Sequence, residues 1–386
     1  MAALRVHLDH AATTPVDPAV VAAMLPYFTD NFGNPASLYE QGLIARIAVD
    51  LARDKVARLL GADPSEVLFT SGGSESDNHA LRGAALANAD RGNHVVTTAV
   101  EHHAVLETAR FLGSRGCEVT ILPVDGHGAV DPEEVRRAIT PRTIIVSVMH
   151  ANNEVGSIQP IAEIGRITRE AGILFHTDAV QTFGHIPTAV DELGVDLLSI
   201  SGHKLYGPKG IGALYIRRGT RLAKLLHGGG QESGRRAGTC NVPGIVGLGK
   251  AASIAASGMA EDAAHCRRLR DRIIAGVAGG ISKTRLNGHP ERRLPNNASF
   301  SFAGVEGESL LLLLDRQGFS VSSGSACASS SVDPSHVLVA MGVPTPLAHG
   351  SLRTTVGRGT SEADVDRFLE ALVSAVHGLR RISPTT

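Results

Sequence analysis

The feature that most constrains this chain is a series of short apolar runs that do not alternate. Residues 67–70, 95–98, 118–122, 143–149, 173–177, 195–200 and 211–216 each have the length of a strand. Several place Val, Ile and Leu on successive positions. A strand with one face in water alternates apolar and polar side chains. A strand covered on both faces does not, so these runs read as a sheet buried on both sides. Helical patterns such as residues 161–171 lie between some of them. A mostly parallel sheet sandwiched by helices, an α/β fold, is the expectation.

At 386 residues the chain is too long for one small core. Its character changes after about Gly258. A basic helix over 263–274, a few shorter strands and a last helix over 362–377 are expected there. We expect a large domain over 15–257 and a smaller α/β domain built from 1–14 and 258–386. The charges nearly cancel, at a formal −1, so the broad basic field of a nucleic-acid binder is absent. No stretch approaches the roughly 18 apolar residues of a membrane span, and no secretory signal is visible. The four cysteines, Cys117, Cys240, Cys266 and Cys327, are scattered without metal or disulfide spacing. A reducing cytoplasm is the expected compartment.

Open α/β sheets bind ligands beyond the carboxyl ends of their strands. Five of the runs end in polar clusters: Ser71-Gly72-Gly73-Ser74-Glu75, Glu101-His102-His103, His150-Ala151-Asn152-Asn153-Glu154, Asp178-Ala179-Val180-Gln181 and Ser201-Gly202-His203-Lys204. The first, at a helix start, offers backbone N–H groups and a hydroxyl to an anion such as phosphate. A lysine in a crowded pocket forms a Schiff base with an aldehyde. A carboxylate holds a pyridine nitrogen protonated. Phosphate, aldehyde and pyridinium together describe pyridoxal 5'-phosphate.

An ordered set of motifs spans the chain nearly end to end. It includes Leu8-Asp9-His10-Ala11-Ala12-Thr13-Thr14-Pro15, Phe32-Gly33-Asn34-Pro35-Ala36-Ser37, the five clusters above, Gly228-Gly229-Gly230-Gln231-Glu232, Arg235-Arg236-Ala237-Gly238-Thr239, Ser322-Ser323-Gly324-Ser325-Ala326-Cys327 and Leu352-Arg353. On these residues the sequence resembles the cysteine desulfurases, within the class V aminotransferase-like, fold-type I pyridoxal-phosphate enzymes. The Ser-Gly-Ser-Ala-Cys form resembles the branch with a mobile cysteine loop. His10, Tyr39 and Cys240 depart from residues common in the family, and none has an implied chemical role.

The resemblance implies removal of sulfur from L-cysteine, giving alanine and a persulfide on Cys327. Lys204 would form the Schiff base, Asp178 would pair with the pyridine nitrogen and Gln181 would bond the ring oxygen. His102 would stack on the ring and move protons. Gly73, Ser74, Ser201 and His203 would hold the phosphate, with Thr239 reaching in from a second subunit of a homodimer. Asn153 and Arg353 would bind the substrate carboxylate, where a planar guanidinium suits a two-pronged grip. The sulfur would pass to a protein acceptor or an iron–sulfur scaffold, and onward to iron–sulfur assembly, tRNA thiolation or DNA phosphorothioation. Cys327 could transiently ligate a cluster there. No dedicated metal site, nucleic-acid surface or membrane contact is expected.

Plainer readings apply elsewhere. Cys117, Cys240 and Cys266 read as structural thiols. The run 244–251 nearly fits a phosphate-binding loop, but Ala251 replaces the Ser or Thr that would hold magnesium, and the run looks helical. Competing functions are a selenocysteine lyase or another class V aminotransferase or lyase, and an inactive sulfur-transfer scaffold. The scaffold would have lost its lysine, aspartate or cysteine, and all three are present.

Overall fold

The computed structural model describes residues 5–323 and 334–382. Seven strands form the main sheet, in the order Val67–Thr70, Gly212–Ile216, Leu197–Ser201, Leu174–Asp178, Thr143–Ser147, His94–Thr98, Glu118–Leu122. Gly212–Ile216 runs antiparallel to both its neighbours, and all other pairings are parallel. Val67–Thr70 therefore points the same way as the parallel set. Six carboxyl ends share one edge. Every residue of six of these strands is buried apart from Leu174, which accounts for the lack of alternation. Glu118–Leu122, at the sheet edge, is the one that stays largely open.

The expected elements fall where the periodicity places them, with shifts of one or two residues at strand ends. The helix Ile161–Ala171 has the bounds that its apolar spacing gives, and Gly172 at φ 68° ends it in the left-handed conformation that glycine tolerates. One difference concerns the later half. The basic stretch is part of a single helix, Val242–Gly280, that starts well before residue 258. The near-match to a phosphate loop lies inside it, with no strand before it. Its first half packs Ile245, Leu248, Ala252 and Ala255 into the core under the main sheet. Its second half packs Leu269, Ile273 and Val277 into another core, with Phe300, Phe302, Leu352, Phe368 and Leu372. The change of character read at Gly258 is a change of core within one rod.

That second core is faced by the antiparallel strands Thr284–Asn287, Asn297–Phe302 and Ser351–Thr355 and by the last helix, Glu362–Ile382. The N-terminal strand Val6–His7 pairs with Phe319–Ser320, so Val6 and Leu8 join the same core. Beyond Leu8 the chain crosses to the main sheet's carboxyl edge, where Thr14 N–H donates to His203 O at 3.0 Å. The helix Val242–Gly280 is long and apolar enough to cross a membrane, but half of its most apolar window is buried within the fold, as in a core helix.

Candidate active site

A cavity of about 280 Å³ opens at the carboxyl edge of the main sheet, near the lower end of the roughly 300–1,000 Å³ typical of small-molecule sites. Of the residues singled out from the sequence, Gly73, Ser74, His102, Asn153, Asp178, Gln181, Ser201, His203, Lys204 and Arg353 all line it. Thr239 does not. It lies exposed beyond the short hairpin of Gly230–Gln231 and Arg236–Ala237. Cys327 lies outside the described residues.

The phosphate end is built by the turn from Thr70 into the helix Gly73–Ala87. Gly72 carries φ 153°, and a Cβ on Gly73 would stand 2.7 Å from Cγ2 of Val180. The glycines let the helix start sit directly on the loop after Asp178. Its free N–H groups and partial positive charge then face the cavity mouth. Ser71 N–H donates to Glu75, which also pairs with Arg236 at 2.7 Å, so the turn is held from behind.

Asp178 ends its strand with 6 % of its surface exposed. One oxygen accepts from the Val180 N–H at 2.9 Å. Burial raises its pKa, opposed by His102, the Val180 N–H and Lys204. Beside it lies Asp77, wholly buried, with Oδ1 unbonded among the described residues and His176 Nε2 at 3.6 Å. Burial, then the charge of Asp178, drives the Asp77 carboxyl well above the usual range. Lys204 opposes the rise at Asp178 and no such cation among the described residues acts on Asp77, so of the two carboxyls Asp178 is the better holder of negative charge.

Lys204 follows its strand by one short turn, Gly202–Lys204. Its Nζ donates to the carbonyls of Ala11 and Ala12 at 2.6 and 2.7 Å. Gln181 Nε2 donates to Ala11 O at 3.0 Å, and His203 Nδ1 lies 3.1 Å from the Thr13 hydroxyl. The N-terminal segment is thus one wall of the cavity. Burial, with Lys204 and Lys209 nearby, pulls His203 down to about 4, leaving it neutral near pH 7.

His102 caps the helix His103–Ser114, its Nδ1 accepting from the Ala104 N–H at 3.1 Å. That bond needs a lone pair on Nδ1, so the resting ring carries its proton on Nε2. Burial lowers the His102 pKa, aided by Lys204 and His103 and opposed by Asp178. For the ring to take a second proton on Nδ1, the cap bond must first be given up.

At the other end Arg353 is 3 % exposed. It donates through Nη1 to Asn153 O at 3.0 Å and through Nη2 to Asp9 Oδ1 at 2.7 Å, while its buried Nε has no partner among the described residues. The Asn153 loop is closed by Asn152, whose Oδ1 accepts from the N–H groups of Glu154 and Val155 at 2.9 Å. Glu154 is buried and receives a hydrogen bond from the Ser335 hydroxyl. Burial pushes its carboxyl up to about 7 despite that bond and the nearby Arg353.

Sequence reasoning missed Ala11, Ala12, Asp77, Met149 and Val180 in the lining. Asp77 sits one helical turn past Gly73, a position that turns the side chain back toward the helix start, and that spacing was the available signal. The described cysteines have no place in the cavity. Burial raises the thiol of each, that of Cys266 to about 12. No group of His, Cys, Asp and Glu suited to a metal occurs among the described residues.

The donor set fits pyridoxal phosphate: helix N–H groups and hydroxyls for a phosphate, an amine for the aldehyde, and one buried carboxylate for a ring nitrogen. The comparisons with known proteins agree with this set. The family model described as aminotransferase class-V matches residues 6–368. The chain is 56% identical over 381 residues to "Cysteine desulfurase IscS" of Methanosarcina thermophila, covering 99% of this chain and 94% of that one. Among solved structures, a "NifS-like protein" superposes with a TM-score of 0.92 at 40% identity, covering 97% of this chain and 100% of that one. "SspA in complex with cysteine" superposes with a TM-score of 0.81 at 37% identity, covering 91% and 98%.

Proposed function

The chain belongs to the aminotransferase class-V family and is a pyridoxal-phosphate-dependent cysteine desulfurase, and we propose that it moves sulfur from L-cysteine onto Cys327 with the residues above in the following roles. The observation that carries this reading is the meeting of Lys204, Asp178 and Arg353 in one cavity. When bound, the cofactor supplies a carbon that holds the substrate amine and a ring that takes up electrons released at Cα.

Lys204 anchors the cofactor, then accepts and returns the Cα proton as a free amine. Asp178 holds the ring nitrogen's proton, and Gln181 orients the ring oxygen. Gly73, Ser74, Ser201 and His203 hold the phosphate. Arg353 and Asn153 take the substrate carboxylate, so the substrate's sulfur is presented in one direction. The Cys327 thiolate attacks that sulfur. An S–S bond forms and the Cβ–S bond breaks, its electron pair staying with carbon. Carbon then takes a proton and leaves as alanine. His102 serves this proton traffic from its place beside Asp178.

The working unit is a homodimer. Leu43, Ile47 and Leu51 are each about half exposed on one face of the helix Glu40–Leu60, and Phe28, Phe32 and Leu38, earlier in the chain, are exposed as well. Residues four apart form one stripe, and an open stripe of this kind suits a second copy. Thr239 then serves the partner's phosphate site. The compartment is the cytoplasm, and the persulfide is handed to a protein acceptor or iron–sulfur scaffold.

Product analysis with L-cysteine tests the reaction. Alanine with sulfide, and no keto acid, supports it; keto-acid release would mark an aminotransferase. Running L-selenocysteine in parallel separates a selenocysteine lyase.

A further inference from the structure

The chain enters and leaves the 324–333 segment at two points, and both are bonded to the carboxylate end of the cavity. On the entry side, Ser322 and Arg353 exchange backbone hydrogen bonds, Ser322 N–H to Arg353 O at 3.2 Å and Arg353 N–H to Ser322 O at 2.6 Å. Arg353 is the cation placed on the substrate carboxylate. On the exit side, the Ser335 hydroxyl donates to Glu154 Oε2, and Glu154 directly follows Asn153. The next residue, His336, reaches the carbonyl of Glu101 through Nε2 at 3.0 Å, and Glu101 directly precedes His102. The His336 ring also lies 4.6 Å from that of His103.

These contacts are buried and built. Ser335 is 4 % exposed, Glu154 6 % and Ser322 3 %. The Ser335 oxygen also caps the helix His336–Ala340, accepting from Leu338 N–H at 3.3 Å. Behind it Val337, Leu338 and Met341 pack against Val100, Met149 and Val155, which flank the His102 and Asn153 loops. A serine that only capped a helix would not need a buried carboxyl as partner. Burying a carboxyl is costly unless it is hydrogen-bonded, so the pair has a specific use.

Resting on the desulfurase reading above, we propose that Ser335 and Glu154 are positioning residues for the sulfur-transfer step. Their bond fixes the exit of the Cys327-bearing stretch to the loop of Asn153, while the Ser322–Arg353 pair fixes its entry. Substrate held by Arg353 and Asn153 and the two residues flanking the 324–333 segment, Ser322 and Ser335, are thereby set in one frame. Neither residue touches substrate. Each acts through what it holds.

The test uses full-length holoenzyme and single turnover with L-cysteine. Two signals are read: substrate binding, from the change in the bound cofactor's absorbance, and persulfide on Cys327, from the mass of the trapped peptide. Ser335→Ala and Glu154→Ala break the bond from opposite sides, and Glu154→Ala leaves the helix cap in place. Each variant is expected to bind cysteine within about threefold of wild type and to form persulfide about tenfold more slowly. The double variant is expected to be no slower than the slower single, because one bond is lost either way. Ser335→Thr, which keeps the hydroxyl, restores the rate. If binding and transfer fall together, or the two losses multiply in the double variant, or transfer is unchanged, the proposal is overturned. Should wild type itself form no persulfide on Cys327, the desulfurase reading fails instead, a separate result.

Discussion

The Arg353 guanidinium donates through Nη2 to Oδ1 of Asp9 at 2.7 Å, joining segments 344 residues apart. With Nη1 on Asn153 O, the planar group is held on two sides before substrate arrives. Lysine has the charge but not the fork, so it can satisfy only part of this arrangement. For Arg353→Lys we predict a KM for L-cysteine raised roughly 10- to 100-fold, from the loss of a charge-assisted paired bond of about 1.5–3 kcal/mol. Cofactor affinity should change little. Steady-state kinetics and a pyridoxal-phosphate titration check both, and an unchanged KM would remove Arg353 from the carboxylate site.

His102 is poised between two uses of one nitrogen. Its Nδ1 is engaged by Ala104 N–H, and its pKa is lowered chiefly by burial. His102→Gln keeps a polar group of similar reach and cannot accept a proton. Persulfide formation is expected to slow by about 10²-fold or more, the usual range for losing a positioned acid or base, with the cofactor still bound. Rapid-quench measurement of persulfide reads this directly; undiminished turnover would end the assignment.

Glu101 is wholly buried and pushed up to about 8, by burial first, with the charge of Asp178 adding to it. Its Oε1 accepts from Thr98 and Met149 at 2.7 and 2.9 Å. An unfolded glutamate titrates near 4.5. Between those values the folded chain keeps a proton that the unfolded chain has released, so wild type loses stability as pH rises through the window. Glu101→Gln cannot ionise and escapes that loss. Denaturant unfolding at about pH 5 and about pH 9 should show the variant gaining on wild type by on the order of a few kcal/mol at the higher pH. A difference that does not vary with pH would contradict a buried, protonated Glu101.

Much of this was legible in the sequence, for physical reasons. The strands were readable because a doubly covered sheet leaves Val, Ile and Leu in unbroken runs. Nine of the ten site residues in the cavity were readable because strands running the same way deliver their following turns to one edge, as Asp178 and Lys204 show, whereas Arg353, on an antiparallel strand of the other sheet, was read from the resemblance alone. Asp9, Ala11 and Ala12 were not read as site walls, since their role depends on the chain returning from another core to the main sheet. Glu154 matters through Ser335, a partner 181 residues away. The helix Val242–Gly280 hid its continuity because its two halves face different cores, and Gly258 costs only about 1 kcal/mol relative to alanine in a helix.

The open face of Leu43, Ile47 and Leu51 gives a separate test. A charge in the middle of a buried apolar contact is strongly unfavourable. Ile47→Glu is expected to convert dimer to monomer in sedimentation while leaving the chain folded by circular dichroism. It should also weaken cofactor binding, if Thr239 of each chain serves the other as proposed. A variant that remains a dimer would move the interface elsewhere.

The central claim is that Cys327 carries the sulfur, and one comparison tests it most directly: alanine and sulfide released from L-cysteine with a thiol reductant, by wild type and by Cys327→Ser. Wild type is predicted to yield both products. The serine variant is predicted to keep the yellow absorbance of cofactor on Lys204 and yield neither. Full activity in the serine variant would contradict the account and leave an ordinary pyridoxal-phosphate lyase or aminotransferase in its place.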